Sequence, residues 1–123
     1  MPVTDSFLEF VLEQLEALGP ITSKRMFGGV GLYAGDLFFA LIAGDEVYLK
    51  ADDSTRGLLE AAGGRPFQPY PGRRRRRGTT QYYSVPIAVL EDSDTLTAWA
   101  RRSVEVARAQ QRAGGERRPR KRP

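Results

Sequence analysis

Leu37-Phe38-Phe39-Ala40-Leu41-Ile42 is apolar at every position. A strand sends alternate side chains to opposite faces, so such a run puts apolar groups on both sides of a sheet. Something must cover the second side. A chain of 123 residues is long enough for one hydrophobic core and too short for two. The cover is therefore another helix of the same chain or the same sheet of a second subunit, and a symmetric dimer is the commonest way to bury such a patch.

The run lies inside a β-rich stretch, Ile21 to Lys50, punctuated by Gly28-Gly29, Ala34-Gly35-Asp36 and Ala43-Gly44-Asp45. This predicts an antiparallel meander of about four strands. In the last of them Val47 and Leu49 alternate with Glu46, Tyr48 and Lys50, as expected of a strand with one buried face. Thr79 to Val85 adds a fifth strand by its β-branched and aromatic content, closed by Pro86.

Helices flank this sheet. Ser6 with Glu9 forms a capping box for a helix over 6–18, whose Phe7, Val11, Leu15 and Leu18 line one face before Gly19-Pro20 stops it. Asp52, Asp53 or Ser54 caps a short helix through Leu58 and Leu59 that ends at Gly63-Gly64. Ser93 or Asp94 opens a final helix with Leu96, Trp99 or Ala100, Ser103 and Ala107 on one stripe, losing its packing by about Gln110. The expected fold is α+β: an N-terminal helix, an antiparallel meander of about five strands, two further helices packed on the sheet, and a disordered basic C-terminal tail. The domain spans 1–110 and the tail 111–123, where no apolar periodicity offsets the ordering entropy.

Three segments carry a resemblance. Lys24-Arg25-Met26-Phe27-Gly28-Gly29-Val30-Gly31-Leu32-Tyr33, followed by Val47-Tyr48-Leu49-Lys50 and by Tyr82-Tyr83-Ser84-Val85-Pro86, resembles the N-terminal domain of the TfoX/Sxy family over about residues 5–108. The resemblance implies a helix, an antiparallel sheet, two further helices and a self-associating α+β domain. It also implies bacterial regulation, since the named members are regulators of DNA-uptake competence acting with a transcription activator. Those regulators typically continue into a second, helical C-terminal domain, whereas this chain ends in a basic tail.

The net charge of +4 divides unevenly. Residues 1–110 carry 13 basic and 14 acidic side chains, a net of −1, and residues 111–123 carry 6 and 1, a net of +5. Arg117, Arg118, Arg120, Lys121 and Arg122 are the heart of that tail, and Arg73, Arg74, Arg75, Arg76 and Arg77 form a second basic segment in a Pro- and Gly-rich loop. Both segments could contact a nucleic-acid phosphate backbone; the bland reading is solvated cationic chain in an arginine-rich sequence. Neither would read sequence, because no helix-turn-helix or similar reader is present.

The motif residues Met26, Phe27, Gly28, Gly29, Gly31, Leu32, Tyr33, Lys50, Tyr82, Tyr83 and Pro86 are expected to be mainly structural. The glycines precede no helix, which argues against a phosphate loop and for a tight turn, a bulge or a close backbone approach. Tyr33, Tyr48, Tyr70, Tyr82 and Tyr83 invite a base-stacking platform, with sheet packing as the commoner role of strand tyrosines. Lys24, Arg25 and Lys50 form an anion pocket only if they share a face.

With no histidine and no cysteine, the commonest general base, the commonest metal ligand and the thiol nucleophile are missing. Asp52-Asp53 is explained by a helix N-terminus. No stretch reaches the roughly 18 apolar residues of a membrane span. The sequence thus predicts a non-enzymatic cytoplasmic regulatory or adaptor domain with no cofactor or metal, acting through self-association, as a homodimer, and through a protein partner. The alternative is a non-specific nucleic-acid binder using Arg73–Arg77 and the tail.

Overall fold

The structure, a computed structural model, describes residues 3–26, 28–67 and 81–117. Five strands, β1 (Thr22–Met26), β2 (Gly29–Ala34), β3 (Leu37–Ala43), β4 (Glu46–Lys50) and β5 (Tyr82–Ser84), form one antiparallel sheet in chain order. The expected meander is present. Gly35-Asp36 and Gly44-Asp45 are two-residue hairpin links, which suits their turn chemistry. Of the fifth strand, Thr79 and Thr80 lie outside the described residues.

The all-apolar run is accommodated by a bulge. Leu32 pairs with Ala40 and Tyr33 with Phe38, so Phe39 is the extra residue on β3. The slip lets adjacent residues point the same way: Phe39 and Ala40 are both fully buried, together with Leu37 and Ile42. Only Phe38 and Leu41 are left to the opposite face.

The helices are α1 (Asp5–Gln14), α2 (Asp53–Ala61), α3 (Ile87–Leu90) and α4 (Ser93–Arg117), with a 3-10 turn at Glu16–Leu18. α4 lies across β3 and β4 and is itself covered by α1 and α3. Leu96, Ala100, Val104 and Ala107 of α4 meet Val30, Leu32, Ile42, Val47 and Leu49 in one core, with Val11 and Leu15 from α1's side. α2 packs at the β5 end, where Leu59, Ala51 and Tyr83 form a smaller cluster against Trp99. Gln14 ties the layer together: its backbone carbonyl accepts from Ser93 Oγ at 2.8 Å and Thr97 Oγ1 at 3.3 Å, and its Nε2 donates to the Leu90 carbonyl at 2.9 Å.

Several boundaries differ from the sequence reading. The first helix begins one residue before Ser6, and its cap is Thr4, whose hydroxyl accepts from Phe7 N at 3.1 Å. Ser6 is already inside the helix and cannot cap it. Of the three candidates for the second cap, Asp52 takes the position, forming a reciprocal box with Thr55. α3, a single turn after Pro86, was not foreseen; four residues are too few to show a period. The final helix does not stop near Gln110 but continues to Arg117, so residues 111–117 of the expected tail are helical. Extension of an existing helix needs no new nucleus, and Gln111, Arg112 and Ala113 are adequate helix formers. Residues 118–123 lie outside the described residues.

Arg65–Phe67, read as loop, runs along β5: Ser84 N donates to the Arg65 carbonyl at 2.9 Å and Phe67 N to the Tyr82 carbonyl at 2.8 Å. The β5 edge is thereby closed, and among the described residues nothing pairs with the outer edge of β1. Lys24 and Arg25 on that strand discourage edge pairing.

Candidate functional site

Strand register decides which side chains share a face. Val30, Leu32, Ala40, Ile42, Val47, Leu49 and Tyr83 are linked pair by pair on the side that α4 and α2 cover. The residues between them, Lys24, Met26, Gly31, Tyr33, Phe38, Leu41, Tyr48, Lys50 and Tyr82, face the other way. None of them belongs to the helix-backed core clusters. Lys24 and Lys50 therefore share a face, and Arg25 does not: it turns to the N-terminal segment, where it holds Asp5 at 2.8 Å and the Val3 carbonyl at 3.1 Å.

On this face, which no described helix covers, an aromatic row crosses the sheet. Tyr33 and Phe38 stack with centroids 5.0 Å apart and planes inclined by 20°, and Phe38 meets Tyr82 at 5.5 Å. A lysine stands at each end, Lys24 Nζ 5.2 Å from the Tyr33 centroid and Lys50 Nζ 5.0 Å from that of Tyr82. Lys50 rises from β4, between the strands that carry Phe38 and Tyr82, and donates to the Tyr82 hydroxyl at 3.3 Å. Both lysines lack a carboxylate partner among the described residues. Beside the row, Tyr48 packs edge-on against Phe67 at 5.0 Å and donates to Glu46 at 2.9 Å, while Glu46 also holds Arg65 at 2.9 Å.

Two glycines make this arrangement possible. A Cβ on Gly31 would stand 2.7 Å from Met26 Cε and 2.9 Å from Phe38 Cε1, so the bare backbone is the floor on which Met26 and the row rest. A Cβ on Gly29 would come within 2.6 Å of the Ile42 carbonyl oxygen, which does not move freely. Gly28, at φ 79°, turns the β1–β2 link in a conformation that side chains resist. The three glycines serve a turn and two close approaches.

Desolvation marks the row electrostatically. Burial lowers the Lys50 pKa from its ordinary value. Tyr82 is pushed up to about 12, mainly by burial and then by the charge Tyr33 would carry. Tyr48 is likewise pushed up to about 12, by burial first and then by its hydrogen bond to Glu46. Neither phenol is suited to act as a base near neutrality.

A separate cleft of about 230 Å³ is lined by Asp52, Asp53, Arg56, Gln81 and Gln110. Its acids are engaged: the Asp52 carboxylate accepts from Ser54 and Thr55, bonds that hold its pKa below the usual range, and Asp53 pairs with Arg56 at 3.0 Å. Among the described residues no three Asp, Glu, His or Cys gather in a group able to hold a metal. No described helix is long and apolar enough to cross a membrane.

The structure thus unites five motif residues, Met26, Gly31, Tyr33, Lys50 and Tyr82. It sends Leu32 and Tyr83 to the core face and sets Pro86 at the start of α3. Phe38, the centre of the row, escaped the sequence reading because the bulge that turns it outward leaves no mark in an unbroken apolar run. Phe27, Tyr70, Arg73–Arg77, Arg118, Arg120, Lys121 and Arg122 lie outside the described residues, and Arg117 is the last residue of α4.

A meander with helices on one face and a lysine-flanked aromatic row on the other is a single-sheet α+β domain whose second face is covered by no described helix. The chain belongs to the TfoX N-terminal domain family, whose model matches residues 13–107. No curated protein matches the sequence.

Proposed function

We propose that the chain is a non-enzymatic regulatory domain of bacterial, competence-type transcription control, acting in the cytoplasm by binding a partner through the uncovered face of its sheet. One observation carries the reading: the described helices are spent on one face, while the other holds a half-buried aromatic row with two ammoniums that meet no carboxylate among the described residues. Membership of the TfoX N-terminal domain family supports the regulatory role. The absence of histidine and cysteine from the sequence and the raised tyrosine pKa values argue against acid–base or nucleophilic chemistry at this face.

Self-association face to face is disfavoured by charge, since two copies would bring together four ammoniums while Glu46, the carboxylate beside Tyr48, is already engaged by Arg65. A homodimer, where it forms, uses the outer side of α4 instead. Light scattering tests that part: a mass that stays at 13.7 kDa at micromolar concentration removes the dimer from the proposal.

Complementation tests the working surface. Phe38→Glu plants a charge in the row without touching the core. In a strain lacking the gene, this variant should restore the protein but not the transcript changes that wild type restores. Full complementation by a folded Phe38→Glu protein would overturn the assignment of function to this face.

A further inference from the structure

The uncovered face combines two chemistries that the fold itself does not use. Among the described residues, Lys24 and Lys50 each meet an aromatic ring rather than a carboxylate. Glu46, beside Tyr48 on this face, is engaged by Arg65, and the acids of α1 and α2, among them Asp5, Glu9, Asp53 and Glu60, sit in the helical layer across the sheet. We propose that this face is a platform for single-stranded nucleic acid, with bases meeting the Tyr33–Phe38–Tyr82 row and phosphates meeting the Lys24 and Lys50 ammoniums. The inference rests on the reading that this face is the working surface.

The choice of partner follows from what the face offers. A nucleotide strand alternates an anionic phosphate with a flat π surface, the same pair of groups that the row and its lysines complement. An acidic protein surface would satisfy the ammoniums and leave the rings against polar groups. An apolar protein surface would do the reverse and bury two unpaired charges. Duplex bases are stacked within the helix, and a broad sheet face does not enter a groove as a helix or two-stranded ribbon does, so unstacked strands fit better.

The lysines are not equivalent. Lys24 is exposed and stands over the Tyr33 ring; when it swings to a phosphate, it uncovers a ring face on which a base can stack. Lys50 is half-buried and tethered to the Tyr82 hydroxyl, which fixes a point charge at the other end of the row. Its desolvation is partly relieved by an anion bound there. Two phosphate contacts imply a shallow salt dependence and little sequence preference.

Fluorescence anisotropy with labelled oligothymidine, oligoadenosine and a mixed-sequence duplex, titrated with the full chain across a salt series, tests this. Single strands should bind more tightly than the duplex. Tyr33→Leu and Phe38→Leu should each weaken binding about tenfold, while Tyr33→Phe and Phe38→Tyr, which keep the ring, should bind as wild type does. Lys24→Gln and Lys50→Gln should each flatten the salt slope by about 0.7. Replacing all of Arg73–Arg77 by serine separates the face from the arginine segment. Binding that vanishes in that variant and ignores the ring variants overturns the proposal, as does preference for duplex or no binding at low salt. If oligonucleotides do not bind and Phe38→Glu still fails to complement, the face keeps its regulatory role and its partner is a protein. If Phe38→Glu complements, the underlying reading falls as well.

Discussion

Phe38 and Phe39 are neighbours in sequence and opposites in structure. Phe39 is fully buried beneath α4's layer, whereas Phe38 stands half-exposed between two tyrosines on the side no described helix covers. The same contrast runs through the three central strands: Val30, Leu32, Ala40, Ile42, Val47 and Leu49 have no exposure at all, whereas Tyr33, Phe38, Leu41, Tyr48 and Lys50, on the opposite face, are each partly exposed. One face holds the fold together, and the other is presented. The sharpest way to break this comparison is to truncate both phenylalanines. Phe39→Ala should cost about 3–5 kcal/mol, the loss expected of a buried aromatic that leaves a cavity. Phe38→Ala should cost roughly 1 kcal/mol, because less apolar area returns to water. Chemical denaturation of both variants checks the ratio, and equal losses would mean that the open face also carries the fold.

Gly31 is where the two faces share a backbone. An added methyl collides with Met26 and Phe38 on the open face only, so Gly31→Ala strains the row and spares the core. The cost should be about 1–3 kcal/mol, the range for overpacking, with altered near-ultraviolet dichroism from Tyr33 and unchanged helix content. A variant as stable as wild type would show that Met26, a flexible thioether, simply moves aside.

The core face was largely legible in the sequence, and the open face only in pieces. Val47 and Leu49 against Tyr48 and Lys50, and Leu96 with Ala100 and Ala107, are periodic, and periodicity is what burial writes into a chain. The three glycine-marked links fixed the meander because tight turns leave few residues to choose from. By contrast, the union of Tyr33, Phe38, Lys50 and Tyr82 depends on the register of four strands and on one bulge. A shift of a single residue exchanges the faces, and nothing in Leu37–Ile42 marks Phe39 as the extra residue. The same limit kept Lys24 and Arg25 ambiguous: adjacent residues must part, but which of them joins Lys50 is a question of register. Thr4 was passed over as a cap because Ser6 with Glu9 offered a tidier local pattern.

Alkaline pH probes the open face selectively, since Tyr48 and Tyr82 both belong to it. Their folded pKa of about 12 lies above the ordinary 10.0, so the stability they contribute is complete below pH 10 and is lost as pH rises through about 12. Lys50 acts in the opposite sense: its folded pKa lies below 10.5, and stability is gained as pH rises through the window just under that value. Beyond about pH 10.5 the tyrosines prevail. Discounted for their access to solvent, they should supply about 1 kcal/mol each at most. Absorbance at the tyrosinate band should show two late-titrating phenols, and Tyr82→Phe should remove one of them. A single transition near the ordinary value would mean that the row opens before it ionises.

The smallest expected effect sharpens the comparison most. Lys24 is exposed, has no carboxylate partner among the described residues, and rests its ammonium over the face of Tyr33. A cation over a ring at an exposed site contributes about 0.5 kcal/mol. Lys24→Ala should therefore leave thermal unfolding nearly unchanged, and a double-mutant cycle with Tyr33→Leu should return a coupling of about that size. A lysine held for stability would give a larger coupling and a measurable loss of its own. One that rests on the ring until an anion arrives gives a small coupling in the free protein. It also gives a strand affinity that falls, with a flatter salt slope, when the lysine is removed.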